Sequence, residues 1–207
     1  GAMSAVLGLD AAVIEDVLNG REGVSIANYN CPGQIVITGE AKAVAEAGTA
    51  LKEAGARRVL PLKVSGPFHS PMMRPAGEEL AKVFAGVSMN PLKVPYVANI
   101  NAEVITDCGG IEGLLVDQVS GSVRWQQSVE NMIRQGVDTF IEIGPGKTLA
   151  GFIRKINREA TVINIEKFDD LEKFLVKDAK GFLLNPTSTA LPLRREQLPA
   201  FKKRIDG

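Results

Sequence analysis

The 207-residue sequence has few cysteines and no long apolar run. Its two cysteines, Cys31 and Cys108, are too few for a disulfide framework, and neither has the Cys-x-x-Cys or Cys/His spacing of a metal site. No segment approaches the roughly 20 apolar residues of a membrane span, and the first residues lack the basic start and apolar stretch of a signal peptide. We therefore expect a cytoplasmic protein with two unpaired thiols and no membrane partner.

An excess of charge of one sign is also missing, because 24 lysines and arginines balance 24 aspartates and glutamates. Such a balance gives no overall attraction to nucleic acid, which we do not expect as a partner. With 45% hydrophobic residues, a chain of this length can bury one good core or two small ones.

The sequence contains a single histidine, His69, at the junction of a predicted strand and a predicted helix. Imidazole titrates close to neutral pH, so a histidine can take a proton from a nucleophile and return it in the next step. The Gly-x-Ser-x-Gly elbow that exposes a nucleophilic serine occurs nowhere in the 207 residues. The chain therefore has the base half of an acid/base site without the nucleophile half. On position alone, a structural histidine packed at a strand end is the alternative.

Residues 1–66 have the pattern of a small subdomain. A tight turn at Cys31-Pro32-Gly33 indicates a hairpin, and Asp10 can cap the first helix. The resulting β-α-β-β-α-β order is that of the split βαβ, ferredoxin-like arrangement. The predicted strands cover residues 3–9, 24–30, 34–38 and 58–64, and the predicted helices follow Asp10 and cover 41–54.

Residues 67–180 alternate single strands and helices, which is typical of a parallel sheet covered by helices. Three parallel strands would expose apolar edges, so we expect this segment to be part of a larger α/β domain. The predicted strands cover residues 95–100, 139–143 and 161–165, and the predicted helices cover 72–84, 113–119, 123–135, 147–156 and 171–176.

Residues 181–207 differ from the rest, with three prolines and a cluster of basic residues. Prolines at that spacing forbid a long helix. This composition fits two interpretations. One is a docking arm or linker, and the other is a tail that lies on its own domain or is disordered.

The sequence Gly-Lys-Thr at 146–148 invites comparison with a phosphate-binding P-loop. A P-loop requires a further glycine at position 141, but that residue is Ile141, inside a predicted strand. We therefore expect a structural turn, and the free amide groups of the following helix leave an anion site as the second interpretation.

Five short strings in a fixed order resemble one family, the malonyl-CoA:acyl carrier protein transacylases of fatty acid synthesis. Their order and spacing together are specific, and the resemblance covers residue 1 to about residue 176. The strings are GAMSAVLGL at 1–9, ANYNCPGQIVI at 27–37, VSGPFHS at 64–70, SVRW at 122–125 and EIGPGK at 142–147.

The resemblance implies an α/β-hydrolase-like domain interrupted by a ferredoxin-like subdomain. It also implies a two-step transfer, in which a serine takes malonyl from coenzyme A and yields it to the phosphopantetheine thiol of acyl carrier protein. Malonyl-CoA and acyl carrier protein are then the expected partners, and no cofactor is required beyond the coenzyme A thioester as substrate.

The resemblance assigns roles to six residues. His69 matches the family's catalytic base, and Gln118 matches the residue whose main-chain carbonyl orients it. Phe68 matches members that accept malonyl over branched units. The entrance of the active site is matched by Asn28, Asn30 and Gln34.

The sequence also departs from the family in three parts, the Gln-containing oxyanion loop, the Gly-His-Ser-Leu-Gly elbow and the arginine that pairs with the malonate carboxylate. Family members carry them in an amino-terminal portion, and none is found here. We expect the chain to be inactive alone and to be the carboxy-terminal portion of a transacylase, either a fragment or one half of a split enzyme completed by an amino-terminal portion. The start, Gly-Ala-Met, also resembles a cloning remnant.

Two other interpretations stay open. In the first, Cys31 or Ser70 replaces the missing serine and forms a hydrolase or transferase with His69, and the turn position of Cys31 favours an exposed thiol. In the second, the chain is a non-catalytic module whose ferredoxin-like part and basic tail bind an acidic carrier protein.

Overall fold

The computed structural model describes residues 1–64 and 66–177. The predictions for residues 178–180 and for the tail at 181–207 lie outside this part of the chain. Within the described residues, no helix has the length and apolarity to cross a membrane, and no group of three or more His, Cys, Asp or Glu side chains could hold a metal ion.

The first unit is a four-stranded antiparallel sheet with two helices, and its strand order is β2-β3-β1-β4. Its elements therefore follow the predicted β-α-β-β-α-β sequence. The last strand ends at Pro61 rather than at the predicted residue 64, and just beyond it the Leu62 N–H still donates to the Met3 carbonyl at 2.9 Å. The elements are β1 (Ala2–Leu7), α1 (Ala11–Leu18), β2 (Val24–Cys31), β3 (Gln34–Gly39), α2 (Ala41–Glu53) and β4 (Arg58–Pro61).

The core of this unit lies between the two helices and the sheet. Ile14 of α1, Leu51 of α2 and Ile37 of β3 are fully buried in one apolar cluster. Burying each such side chain contributes about 1.5–3 kcal/mol. The cluster therefore fixes the sheet as a platform, and β2 lies at its edge.

The second unit begins after β4 and contains most of the helices of the described chain. It forms two small sheets, one antiparallel and one parallel. Its elements are a 3₁₀ helix (Pro71–Met73), α3 (Arg74–Phe84), β5 (Tyr96–Val97), β6 (Val104–Ile105), α4 (Ile111–Ser120), α5 (Trp125–Arg134), β7 (Thr139–Ile143), α6 (Thr148–Ile156), β8 (Thr161–Ile165) and α7 (Phe168–Lys177).

The predicted parallel strand at 95–100 is wrong. Only Tyr96–Val97 is extended there, and it pairs antiparallel with β6, a strand that no sequence pattern predicts. The chain reverses at Ala102, whose φ is 62° and whose N–H donates to the Ala98 carbonyl at 2.8 Å. This hairpin removes β5 from the parallel sheet, which contains β7 and β8 among the described residues.

The two parallel strands pair in register over their whole length, and both were predicted with the observed bounds. Val129, Phe140 and Ile153 form the buried core between this pair and helices α5 and α6. Ile143, the last residue of β7, is 78% exposed. The small parallel sheet thus presents an apolar residue to its surroundings at the carboxyl end of β7.

Candidate active site

His69 lies in the tight turn between β4 and the 3₁₀ helix, and it is half-buried. Its φ of 58° is in the left-handed region, which non-glycine residues rarely adopt and which costs about 1–3 kcal/mol. The following residues hold the turn in place, because the Ser70 hydroxyl donates to the Pro67 carbonyl at 2.6 Å and Pro71 begins the 3₁₀ helix. Such strain is a signature of functional sites, and no sequence pattern at His69 indicates it.

The imidazole of His69 is oriented by the main chain of α4. Its Nδ1 lies 3.0 Å from the carbonyl oxygen of Gln118, 49 residues further along the chain. A carbonyl oxygen only accepts hydrogen bonds, so Nδ1 must carry the proton and donate it. In the neutral ring, Nε2 is therefore the unprotonated nitrogen that can accept a proton. The structure thus brings together the two residues that the resemblance implied as base and orienting group.

The side chain of Gln118 is tied to the turn that follows α4. Its Nε2 donates to the Gly121 carbonyl at 2.9 Å and lies 3.4 Å from Nδ1 of His69. Because Nδ1 donates its proton to the Gln118 carbonyl, it cannot also accept from the Gln118 amide, and the 3.4 Å contact is not a hydrogen bond in this tautomer. Gln118 therefore supports the histidine from its main chain and anchors itself by its side chain.

The other four predicted site residues occupy three places. Phe68 precedes His69, is 43% exposed, and its ring lies against Gly66. Asn28 and Asn30 lie in the second half of β2 and are half-buried. Gln34 begins β3, and its Oε1 accepts a hydrogen bond from Lys155 of α6 at 3.1 Å. None of the hydrogen bonds found in the described part of the chain joins these four residues to His69.

The sequence did not predict Lys155 as a partner of the hairpin turn. With Arg57 and Gln34, Lys155 lines a cavity of about 440 Å³ beside residues 32–33. The two cations come from different units of the fold, so only the folded chain brings them together. A basic residue in the last turn of a helix is common, and it gave no signal of this contact.

Neither alternative nucleophile has suitable surroundings. Ser70 is 1% exposed and its hydroxyl is held by Pro67, and Cys31 is fully buried rather than exposed in a turn. The exposure expected for Cys31 is wrong, because this residue is the last of β2 and its side chain packs inward. Burial raises the pKa of the Cys31 thiol, and the charge of Lys155 offsets only part of this effect.

We expect Cys31 to react slowly with iodoacetamide. Since the thiolate is the reactive form and the raised pKa makes it scarce, labelling at about pH 8 should modify Cys108 first. Tryptic peptide mass spectrometry after timed quenching measures both cysteines in one sample. Labelling of Cys31 that titrates below the free thiol value of about 8.5 would support the cysteine nucleophile instead.

The Gly-Pro-Gly turn after β7 is closed by side chains of the protein itself. Glu142 accepts hydrogen bonds from the backbone N–H groups of Leu149 and Ala150, at 3.1 and 2.9 Å, in the first turn of α6. Asn164 donates to the Gly146 carbonyl at 2.9 Å. The carboxylate of Glu142 is thus the anion at this helix start, and the turn has the structural role that its spacing predicts.

Replacing Glu142 by alanine should lower the free energy of unfolding by about 1–3 kcal/mol, because two N–H groups in the first turn of α6 lose a charged acceptor. Urea unfolding followed by circular dichroism measures this change. The exposed Glu159→Ala serves as the control and should change stability by less than about 0.5 kcal/mol. Equal effects of the two substitutions would contradict the capping role.

Residues 1–181 match the family model described as acyl transferase domain, so the chain belongs to this family. It is 44% identical over 176 residues to the malonyl CoA-acyl carrier protein transacylase of Bacillus subtilis, a match that covers 83% of this chain and 56% of the relative. Among solved structures it is similar to the MCAT of Streptococcus pneumoniae, at 43% identity and a TM-score of 0.81, covering 86% of this chain and 59% of that one.

A further solved structure shows a malonyl-transacylase in complex with its type II PKS acyl-carrier protein. This chain matches it at 37% identity and a TM-score of 0.79, over 86% of its own length and 58% of the other. The chain thus spans under three fifths of the length of these relatives.

Proposed function

We propose that this chain is the base-bearing part of a malonyl transferase that acts between coenzyme A and an acyl carrier protein. The observation behind the proposal is the contact of His69 Nδ1 with the Gln118 carbonyl, which leaves Nε2 as a proton acceptor. The names of the similar transacylases and the carrier-protein complex of one of them supply the substrate and the partner.

In this proposal, the nucleophile is a serine outside the 207 residues. In the first step, His69 Nε2 takes the serine proton while the oxygen attacks the malonyl thioester carbonyl. The carbon–sulfur bond breaks, and the imidazolium returns the proton to the coenzyme A thiolate. In the second step, the phosphopantetheine thiol gives its proton to Nε2 and attacks the malonyl ester, after which the serine oxygen leaves and is protonated.

The remaining predicted site residues have substrate-binding roles in this proposal. We place Phe68 beside the acyl group, and we place Asn28, Asn30 and Gln34 at the entrance. Phe68 is suited to such a role, because 43% of its large apolar side chain is exposed next to the base. In this proposal, the first unit is a ferredoxin-like subdomain, and its β2-β3-β1-β4 strand order supports this assignment.

A carrier-binding module is the second candidate function, and the cavity with Arg57 and Lys155 favours it. Two cations in one recess suit an acidic protein surface or a phosphate group. Binding of acyl carrier protein that persists in His69→Ala but weakens several-fold in Arg57→Ala/Lys155→Ala would indicate this function. Unchanged binding in both variants would exclude the cavity as the docking site.

The proposal is tested by reconstitution. Malonyl transfer from malonyl-CoA to acyl carrier protein is assayed with the chain alone, with a separately expressed amino-terminal portion of a transacylase, and with both together. We expect transfer only in the mixture, because serine and base come from different polypeptides. Full transfer by the chain alone would refute the proposal.

A further inference from the structure

The turn that follows α4, residues 121–123, docks onto the edge of the small sheet. The Ser122 hydroxyl donates to the Ile26 carbonyl at 2.5 Å, and the Val123 N–H donates to the Ala27 carbonyl at 2.7 Å. The backbone at Val123 also forms a parallel bridge with β2. The turn therefore adds a short parallel segment to the open edge of the first unit.

The strand that receives the turn, β2, is itself held in place by side-chain contacts. The Tyr29 hydroxyl donates to Glu15 Oε1 at 2.7 Å, which ties β2 to α1. Burial and the Glu15 carboxylate raise the pKa of Tyr29 to about 12, so the hydroxyl remains a donor at any physiological pH. The guanidinium of Arg124 lies 6.0 Å from the centre of the Tyr29 ring. The docked turn thus rests on an anchored strand.

The other side of the same turn supports the histidine. The Gly121 carbonyl accepts the side-chain amide of Gln118 at 2.9 Å, and the Gln118 carbonyl accepts His69 Nδ1 at 3.0 Å. Gly121 lies against the Ile100 side chain, whose terminal methyl group would come within 2.2 Å of a Cβ at position 121. Three hydrogen bonds, joined through the covalent chain of residues 118–122, therefore connect β2 to the imidazole.

We propose that Ser122 is a positioning residue for His69. Its hydrogen bond to Ile26 holds the turn on β2, and this keeps Gly121, Gln118 and the imidazole in their observed arrangement. Ser122 provides the side-chain link between the turn and the sheet, beside two backbone links at Val123. The consequence for catalysis rests on the proposed function, whereas the consequence for the orientation of His69 does not. The small sheet thereby contributes to the geometry of the base without contacting it.

The orientation is measured by nitrogen-15 spectroscopy of the 207-residue chain. His69 is the only histidine, so a single pair of ring signals, recorded at about pH 8, reports its tautomer. In the parent chain, we expect the protonated form at Nδ1 and an unprotonated Nε2. In Ser122→Ala, a second population with the proton on Nε2 should appear, and Ser122→Thr, which keeps the hydroxyl, should restore the parent spectrum.

Ser128→Ala is the matched control. Ser128 also donates its hydroxyl to a backbone carbonyl, that of Arg124 at 2.8 Å, but this bond closes the start of α5 and lies outside the bonds that lead to His69. It reports the general effect of losing one serine–carbonyl hydrogen bond. We expect it to leave the ring signals of His69 unchanged.

A second variant tests the next link directly. Gln118→Met keeps the main-chain carbonyl that accepts Nδ1 but removes the side-chain amide that bonds Gly121. It should shift the tautomer population in the same direction as Ser122→Ala. Parent-like ring signals in both folded variants would overturn the proposal.

The catalytic consequence is measured in the reconstituted transfer assay. Ser122→Ala should lower kcat by about three- to ten-fold, the scale of one lost hydrogen bond, with KM within about two-fold of the parent. If His69→Ala transfers malonyl normally while the tautomer of Ser122→Ala still shifts, the proposed function fails and the positioning role stands. An unchanged tautomer in Ser122→Ala, together with a strong loss in His69→Ala, would refute the positioning role alone.

Discussion

Replacing His69 by alanine should lower malonyl transfer by roughly 10²-fold or more in the reconstituted assay, which is the usual effect of losing a general base. The structure explains why one residue has so large an effect. The Gln118 carbonyl holds the protonated nitrogen, and in the proposed function the opposite nitrogen takes the serine proton. Among the described residues, no second histidine is present to replace it.

The matched variant for this prediction is His69→Asn. Asparagine tolerates the left-handed backbone found at φ 58° better than most residues, so it separates loss of the base from strain in the turn. We expect it to be as inactive as His69→Ala, with thermal unfolding closer to that of the parent. A reduction of only a few-fold in both folded variants would count against the role of His69 as base.

Replacing Gly39 by alanine should lower the free energy of unfolding by roughly 2–5 kcal/mol, through a backbone clash and a strained conformation. Gly39 ends β3 at φ 148°, and a Cβ there would lie 2.0 Å from the carbonyl oxygen of Gly23. That oxygen already accepts the N–H of Glu40 at 2.8 Å. The strand end has to move, which disturbs the pairing of β3 with both of its neighbours.

The control for this prediction is Gly20→Ala. Gly20 also has a positive φ, 74°, but a Cβ would meet no atom within 4 Å. This substitution should therefore lower the free energy of unfolding only by the conformational strain, about 1–2 kcal/mol. Urea denaturation of the two variants separates the clash from the strain. Equal losses in stability would mean that the contact with Gly23 has no part in the effect.

The regular elements could be predicted from the sequence wherever they are long enough to show a period. The first unit has strands and helices near their predicted bounds, since the β-branched residues of β3 and the apolar face of α2 are clear patterns. The hairpin of β5 and β6 was missed because two-residue strands show no alternation. Its reversal at Ala102 also requires a positive φ that alanine rarely adopts.

The candidate site was predictable in part. Sequence resemblance pointed to His69 and Gln118, and the structure brings them within 3.0 Å. The strained turn at His69 and the docking of Ser122 on β2 depend on contacts between segments up to 96 residues apart, which no local pattern encodes. The exposure of Cys31 was predicted wrongly, because a cysteine next to Pro-Gly can equally end a buried strand.

The most direct test of the proposed function is to locate the malonyl group after reaction with malonyl-CoA. Intact-mass spectrometry is performed on the 207-residue chain alone and after mixing with an amino-terminal transacylase portion. We expect an adduct of one malonyl group on the added portion only, and only when both polypeptides are present. A malonyl adduct on this chain alone would contradict the proposed function and would point to a nucleophile within these 207 residues.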